Sequence, residues 1–361
     1  DAAGVRRYPA RMRIPLRYGI AASLAAIVTL GVSLRGQTPV LALIGVHVIP
    51  MDRERILERQ TLLIRDGRIV EMGPIGTVRP PAGAQIVNGA GTYVLPALGE
   101  MHGHLAGPNN SLNERILSLN VVHGVLTVRS MLGHPAQLTL RDRVAKSELL
   151  GPRIYTSGPS ANGQSVTTAA AGEQMAREQK AAGYDLIKIH PGVPLDAFNA
   201  LAKTATEVGI PFAGHVPVAV GVHRAIESGY RSIDHLDGYA EAAIRDGATV
   251  GAKGSGFFGT LIAQDLDDGK IGPLVQKTKA AGVWVVPTET LMINFMATEP
   301  IEAMMKRPEL AYVTPDMRTQ WEGGLRGFRN GPQYPTPQQR SRLMALTPAS
   351  ASCSAQTRRR S

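Results

Sequence analysis

Two histidines, His102 and His104, stand one residue apart at the end of the apolar run LPALGEMHGHL, residues 95–105. In an extended strand, side chains at i and i+2 leave the same face, so both imidazoles aim at one point, and a metal ion is the natural occupant of that point. The placement recurs twice: AGHVP sets His215, and SIDHLD sets His235, where an apolar run ends. Zinc is bound by neutral imidazole at about 2.0–2.1 Å, and a catalytic site adds an open position for water. A single strand-end histidine is most simply a hydrogen-bonded structural residue. Four of them from three strands, in a chain with nine histidines, form a ligand set if the strands converge.

Lys188, in DLIKIH, lies inside a further apolar run. An isolated buried ammonium is costly, so this side chain must snorkel, pair with an acid such as Asp185 or Asp234, or lose its charge. Beside two divalent cations a further outcome opens, reaction of the amine with carbon dioxide to give a bridging carbamate that the cations' field favours. Three other residues are candidate substrate contacts. Arg129, in TVRS, has the bidentate fork that suits a carboxylate, with a structural salt bridge as the alternative. His190 follows Lys188 by two positions and so shares its strand face, and Tyr239 follows the His235 strand; each has a structural alternative. His47, His123, His134 and His223 lack the strand-end pattern and read as structural or exposed. GAKGSGFFG, 251–259, does not follow a strand and open a helix, so it is not a phosphate loop.

The elements that must position these groups come in two styles. Residues 37–94 read as short strands with turns, including a hairpin at Asp66-Gly67, and predict a small β-sandwich. From 95 to 346 the pattern alternates. Apolar β-branched runs at 94–102, 125–131, 153–158, 184–190, 211–217, 231–237 and 283–289 are separated by segments of helical length, three of which, EQMAREQKAAG, LDAFNALAKTATEVG and PLVQKTKAAG, end in the glycine expected past a helix. Strand-helix alternation with nearly continuous apolar strands predicts a parallel sheet covered by helices. Because the candidate ligands fall at the C-terminal strand ends, a (β/α)8 TIM-type barrel is preferred to an open sheet, since a barrel gathers those ends around one pocket. The Met-, Pro- and Gln-rich segment 291–346 is expected to supply helices and a lid.

Composition sets outer bounds. The chain has 361 residues, 43% of them hydrophobic, with a formal charge of +10. That charge sits at the ends: residues 1–36 and 336–361 each carry +5, and the body between them is neutral. A neutral body is not the footprint of a nucleic-acid binder, whose basic residues cluster on a folded face. Residues 1–36 have the layout of an upstream stretch followed by a signal peptide, with Arg13 and Arg17 ahead of an apolar run from about Tyr18 to Leu34 that is short for a membrane span. The expectation is an exported protein, periplasmic or secreted, with no membrane attachment after cleavage; an uncleaved anchor is the alternative. Cys353 is the lone cysteine, which excludes a disulfide framework or a cysteine metal site. Self-association is left open.

Taken in order, VLPALGEMHGHL, GVLTVRS, DLIKIH, AGHVP and SIDHLDG resemble the metal-dependent amidohydrolase superfamily, in its imidazolonepropionase-like and prolidase-like group, over about residues 40–345. The resemblance implies a barrel flanked by a small β-sandwich. It implies two divalent ions, with zinc as the expected metal, His102 and His104 on the first, a carbamylated Lys188 as bridge, and His215 and His235 on the second. Two such ions, about 3.5–4 Å apart, would hold a bridging hydroxide and polarise a carbonyl, so the implied activity is hydrolysis of an amide or related C–N bond in a small molecule such as an N-acyl amino acid, dipeptide or cyclic amide. The sequence departs from the pattern at Ala97 and Glu100, where the superfamily has Gly and Asp. It departs more at the end, because 347–361 supplies neither an apolar eighth strand nor the aspartate that shuttles the proton there. The expected fold is therefore a barrel lacking its eighth strand, with an aberrant tail over 347–361 and no assignable catalytic acid. Two alternatives stay open: a mononuclear deaminase or imidazolone-type hydrolase in which Lys188 is structural, and a non-catalytic remnant.

Overall fold

The structure is a computed structural model that describes residues 39–251 and 254–345; the segment read as a signal peptide and the 347–361 tail lie outside the described residues. The chain divides into two compact units, one ending at Pro96 and the other beginning at Ala97.

The first unit is a five-stranded mixed sheet built on β1 (Leu41–Val48). β1 pairs antiparallel with β2 (Leu57–Arg65), which pairs antiparallel with β3 (Arg68–Pro74). Asp66 and Gly67 form the connecting turn with φ of 49° and 70°, the doubly left-handed geometry that makes an Asp-Gly pair a hairpin signal. β4 (Gln85–Asn88) and β5 (Tyr93–Val94) lie parallel to β1. A register shift at Gly45, between Ile44 and Val46, changes which face the even-numbered residues of β1 meet. Ala42 packs with Leu63 and Val78, whereas Val46 and Val48 pack with Leu62. Among the described residues this unit holds one sheet, and the second layer of the expected sandwich is not seen.

The second unit is α/β with parallel strands throughout. Each of the seven predicted runs carries a strand: β6 (Leu98–Gly103), β7 (Val125–Ser130), β8 (Arg153–Thr156), β9 (Ile187–Ile189), β10 (Phe212–Gly214), β11 (Ser232–Asp234) and β12 (Trp284–Val286). They pair in chain order as β6-β7-β8 and β9-β10-β11-β12, and the parallel bridges Ser157↔Leu186 and Ala161↔Ile189 join the two sets. Among the described residues no pairing links β12 to β6. The helices that cover the arc stop where the sequence predicts, with Gly183, Gly209 and Gly282 just past helices Ala169–Ala181, Leu195–Val208 and Asp268–Ala280, all at positive φ.

The main core lies between β9–β11 and helix Leu195–Val208, whose Ala197, Phe198, Leu201 and Ala205 are fully buried. Phe198 stacks on Tyr230 and meets Phe212 edge-on, aromatic packing that fixes the spacing of β10 and β11 beneath the site. Helix Ala169–Ala181 comes close to its neighbour at Gly172, where an added Cβ would stand 2.5 Å from the Ala197 carbonyl oxygen. The described part of the Met-, Pro- and Gln-rich segment, residues 291–345, forms a helical region that includes Pro315–Arg329 and Pro337–Ala345.

Candidate metal centre

The strand ends bring five imidazoles together. His102 lies 5.1 Å from His104 and 4.4 Å from His235, measured between ring centroids; His235 lies 4.7 Å from His215, and His215 lies 5.0 Å from His190. Three hydrogen bonds orient three of them in the same way. His102 Nδ1 meets Asp234 Oδ2 at 2.8 Å, His215 Nδ1 meets Asp237 Oδ2 at 2.7 Å, and His235 Nδ1 meets Thr288 Oγ1 at 2.7 Å. The carboxylates can only accept, and the Thr288 hydroxyl already donates to the Pro287 carbonyl. Each histidine therefore donates from Nδ1–H, and in the neutral ring each Nε2 keeps its lone pair.

Those lone pairs are what a divalent cation needs. The Nε2 atoms of His102 and His104 lie 3.3 Å apart, the separation that two nitrogens at about 2.05 Å take around one tetrahedral ion. Among the described residues no three His, Cys, Asp or Glu side chains form a complete metal-binding group; the structure shows two imidazole nitrogens at ligand spacing with further imidazoles beside them. The protonation states suit ligation. Burial, with the nearby His102 and Lys188 charges, lowers the pKa of His104 to about 4. Burial, with the His102 and His215 charges, lowers that of His235 to about 3, and burial, with Lys188, lowers that of His190 to about 4. At neutral pH all three are in the neutral form that binds metal.

Lys188 is fully buried, and its Nζ donates to Asp234 Oδ2 at 3.2 Å. Asp185, the other acid the sequence offered it, instead pairs with Arg141 at 3.0 Å. Burial lowers the lysine's pKa, and Asp234 works against that shift. Asp234 is thus the hub of the site, since one carboxylate holds His102, Lys188 and, at 3.5 Å, Arg129. Burial favours its neutral form, yet the His102 hydrogen bond and the charges of Lys188 and Arg129 prevail and hold its pKa at about 2. Gly214 makes room for the lysine: its φ is +125°, and a Cβ there would lie 2.7 Å from Lys188 Cδ.

The residues considered for substrate contact divide. His190 joins the imidazole cluster. Arg129 is 8% exposed and donates to the Met101 carbonyl, Ser232 Oγ and Asp234, the structural alternative for a buried guanidinium. Tyr239 has its hydroxyl on Thr278 Oγ1 at 2.8 Å and packs against the main core. Sequence reasoning did not single out Asp237, Thr288 or Glu100 as site residues. Glu100 accepts the His102 backbone N–H at 2.7 Å. The doubled acid in DHLD was a usable signal for Asp237, whereas nothing local marks Thr288.

Backbone strain marks the same place. His235, Leu236 and Thr288 all have left-handed φ, at 60°, 60° and 50°, and conformations this unfavourable for non-glycine residues persist where packing over-determines them.

No protein-family model and no curated protein matches the chain. Solved structures do. A Bifidobacterium longum protein assigned as a prolidase superposes with a TM-score of 0.54 at 21% identity, over 81% of this chain and 69% of that one. A bottromycin amidohydrolase gives 0.57 at 21% identity, over 85% of this chain and 63% of that one. A Xaa-Pro dipeptidase with methionine bound in its active site gives 0.52 at 18% identity, over 82% and 74%. The chain shares its fold with these prolidase and amidohydrolase structures.

Proposed function

We propose that the chain is a metal-dependent hydrolase of amide or related C–N bonds in small molecules, such as N-acyl amino acids, dipeptides or cyclic amides. The observation that carries this reading is the common orientation of His102, His215 and His235, each donating from Nδ1 and leaving Nε2 free. The prolidase and amidohydrolase likenesses support the choice of bond.

In this reading His102 and His104 would hold one divalent ion, His215 and His235 would hold a second, and Lys188 would serve both as a carbamate. When bound, the ions supply Lewis acidity that activates water and polarises the scissile carbonyl. The chain's own residues do the rest. Asp234, Asp237 and Thr288 fix the tautomers and ring planes. Arg129 anchors Asp234. The buried Lys188 amine, with its charged form disfavoured, reacts with carbon dioxide to form an N–C bond, releasing one proton and becoming a carbamate. The layout of residues 1–36 supports export ahead of action on an extracytoplasmic substrate.

The Lys188–Asp234 pair favours a second reading, a single-ion enzyme in which Lys188 is structural. Metal analysis of the purified protein separates the two. Near two equivalents, falling in Lys188→Ala, supports the bridge, and one equivalent unchanged by that substitution supports the single ion. Absence of hydrolysis across a panel of dipeptides, N-acyl amino acids and cyclic amides, with metal bound, overturns both.

A further inference from the structure

The loops that follow β9, β10 and β11 line an open cavity of about 590 Å3, within the size range of small-molecule sites. Two of its lining residues tie it to the imidazole cluster. Asp237 lines it and accepts the hydrogen bond of His215. Phe258 lines it and meets His235 edge-on at 6.0 Å, from a left-handed backbone with φ 58° and ψ 26°, a strained conformation for a bulky residue. Much of the remaining wall is aliphatic, including Val193, Val216 and Leu236.

Among the described residues the charge of the lining has one sign. Its ionisable residues are Asp237 and Glu241, and among the described residues it has no Lys or Arg. Asp237 is committed to His215. Glu241, half-buried on the short helix Tyr239–Ala242, makes no side-chain hydrogen bond or ion pair among the described residues. A partly desolvated carboxylate on an apolar wall attracts a cation more strongly than one in open water, and repels a carboxylate equally. An aliphatic stem with a cationic head fits both features at once.

We propose that this cavity receives the variable group of the substrate, and that Glu241 selects a group made of an aliphatic chain ending in a cation. The inference rests on the hydrolase reading for its setting, as a recognition pocket beside the reacting centre. Titrating the full-length protein with n-butylguanidinium and with n-pentanol, neither of which can be hydrolysed, tests it apart from catalysis. The cation should bind more tightly than the alcohol, and Glu241→Gln should weaken cation binding about tenfold while leaving the alcohol unchanged. Equal binding of the two probes to the unaltered chain overturns the proposal, without need of any variant. Equal weakening of both by Glu241→Gln overturns it also, by giving Glu241 a structural role. Failure of the protein to hydrolyse any amide while the probe preference holds removes the hydrolase reading and leaves the pocket's selectivity standing.

Discussion

His235 and Thr288 are hydrogen-bonded to each other at 2.7 Å from two positions that both hold left-handed backbone, at φ 60° and 50°. They sit at the C-terminal ends of adjacent parallel strands, β11 and β12, so the bond locks the orientation of one imidazole to the end of the neighbouring strand. The conformation is an outlier for the β-branched Thr288, whereas histidine tolerates it better. The surrounding packing holds the strain, and His235 Nε2 is left free.

Thr288→Val should therefore lower metal affinity about 10- to 100-fold, the usual effect of losing a ligand's supporting hydrogen bond. Thr288→Ser, which keeps the hydroxyl, should retain most of that affinity. Competition with a chelating dye checks both, and equal affinity in the Val and Ser variants would show that the hydroxyl does not orient the ring.

Asp234→Asn removes the charge that Lys188 and Arg129 share. Breaking a buried ion pair from one side costs about 3–5 kcal/mol, because the remaining cations stay buried without compensation. Urea denaturation of the metal-free protein should show a loss of that order. A change below about 1 kcal/mol would mean that water or another acid replaces the carboxylate.

Acid should destabilise the chelator-treated protein in two windows. His104, His190 and His235 have folded pKa values of about 4, 4 and 3 against a reference of 6.5. The unfolded chain thus binds more protons below 6.5, and stability falls as pH drops from about 6.5 toward about 3–4. Asp234, held at about 2 against 3.8, adds stability above about 3.8 that disappears as pH falls through about 2. Melting temperature against pH should slope through the upper window, and replacing the three histidines by Gln should flatten that slope.

Gly214→Ala tests the lysine's channel. The added Cβ would meet the Ile189 carbonyl oxygen at 2.5 Å and Lys188 Cδ at 2.7 Å, at a φ of +125°. Overpacking combined with backbone strain should cost about 1–3 kcal/mol and displace Lys188 from Asp234, with a fall in bound metal. Unchanged stability and metal content would show that β10 can shift to accept the methyl group.

Much of this was legible locally. Period-two spacing marked His102 and His104, apolar β-branched runs marked the seven strands, and terminal glycines marked three helix ends, because each signal depends on neighbours in the chain. The convergence of His102 with His215 and His235 was an inference from topology, and it needed the strand order to become a chain of rings whose centroids lie 4.4 and 4.7 Å apart. The partners of those rings were hidden. Thr288 lies 53 positions from His235, and Asp234 lies 132 from His102, so no local pattern could join them. Which acid Lys188 meets, and whether Arg129 faces inward or outward, followed from the same cause: the sequence chose the side chains, but side-chain partners across a parallel sheet are selected by register, which only the folded chain sets.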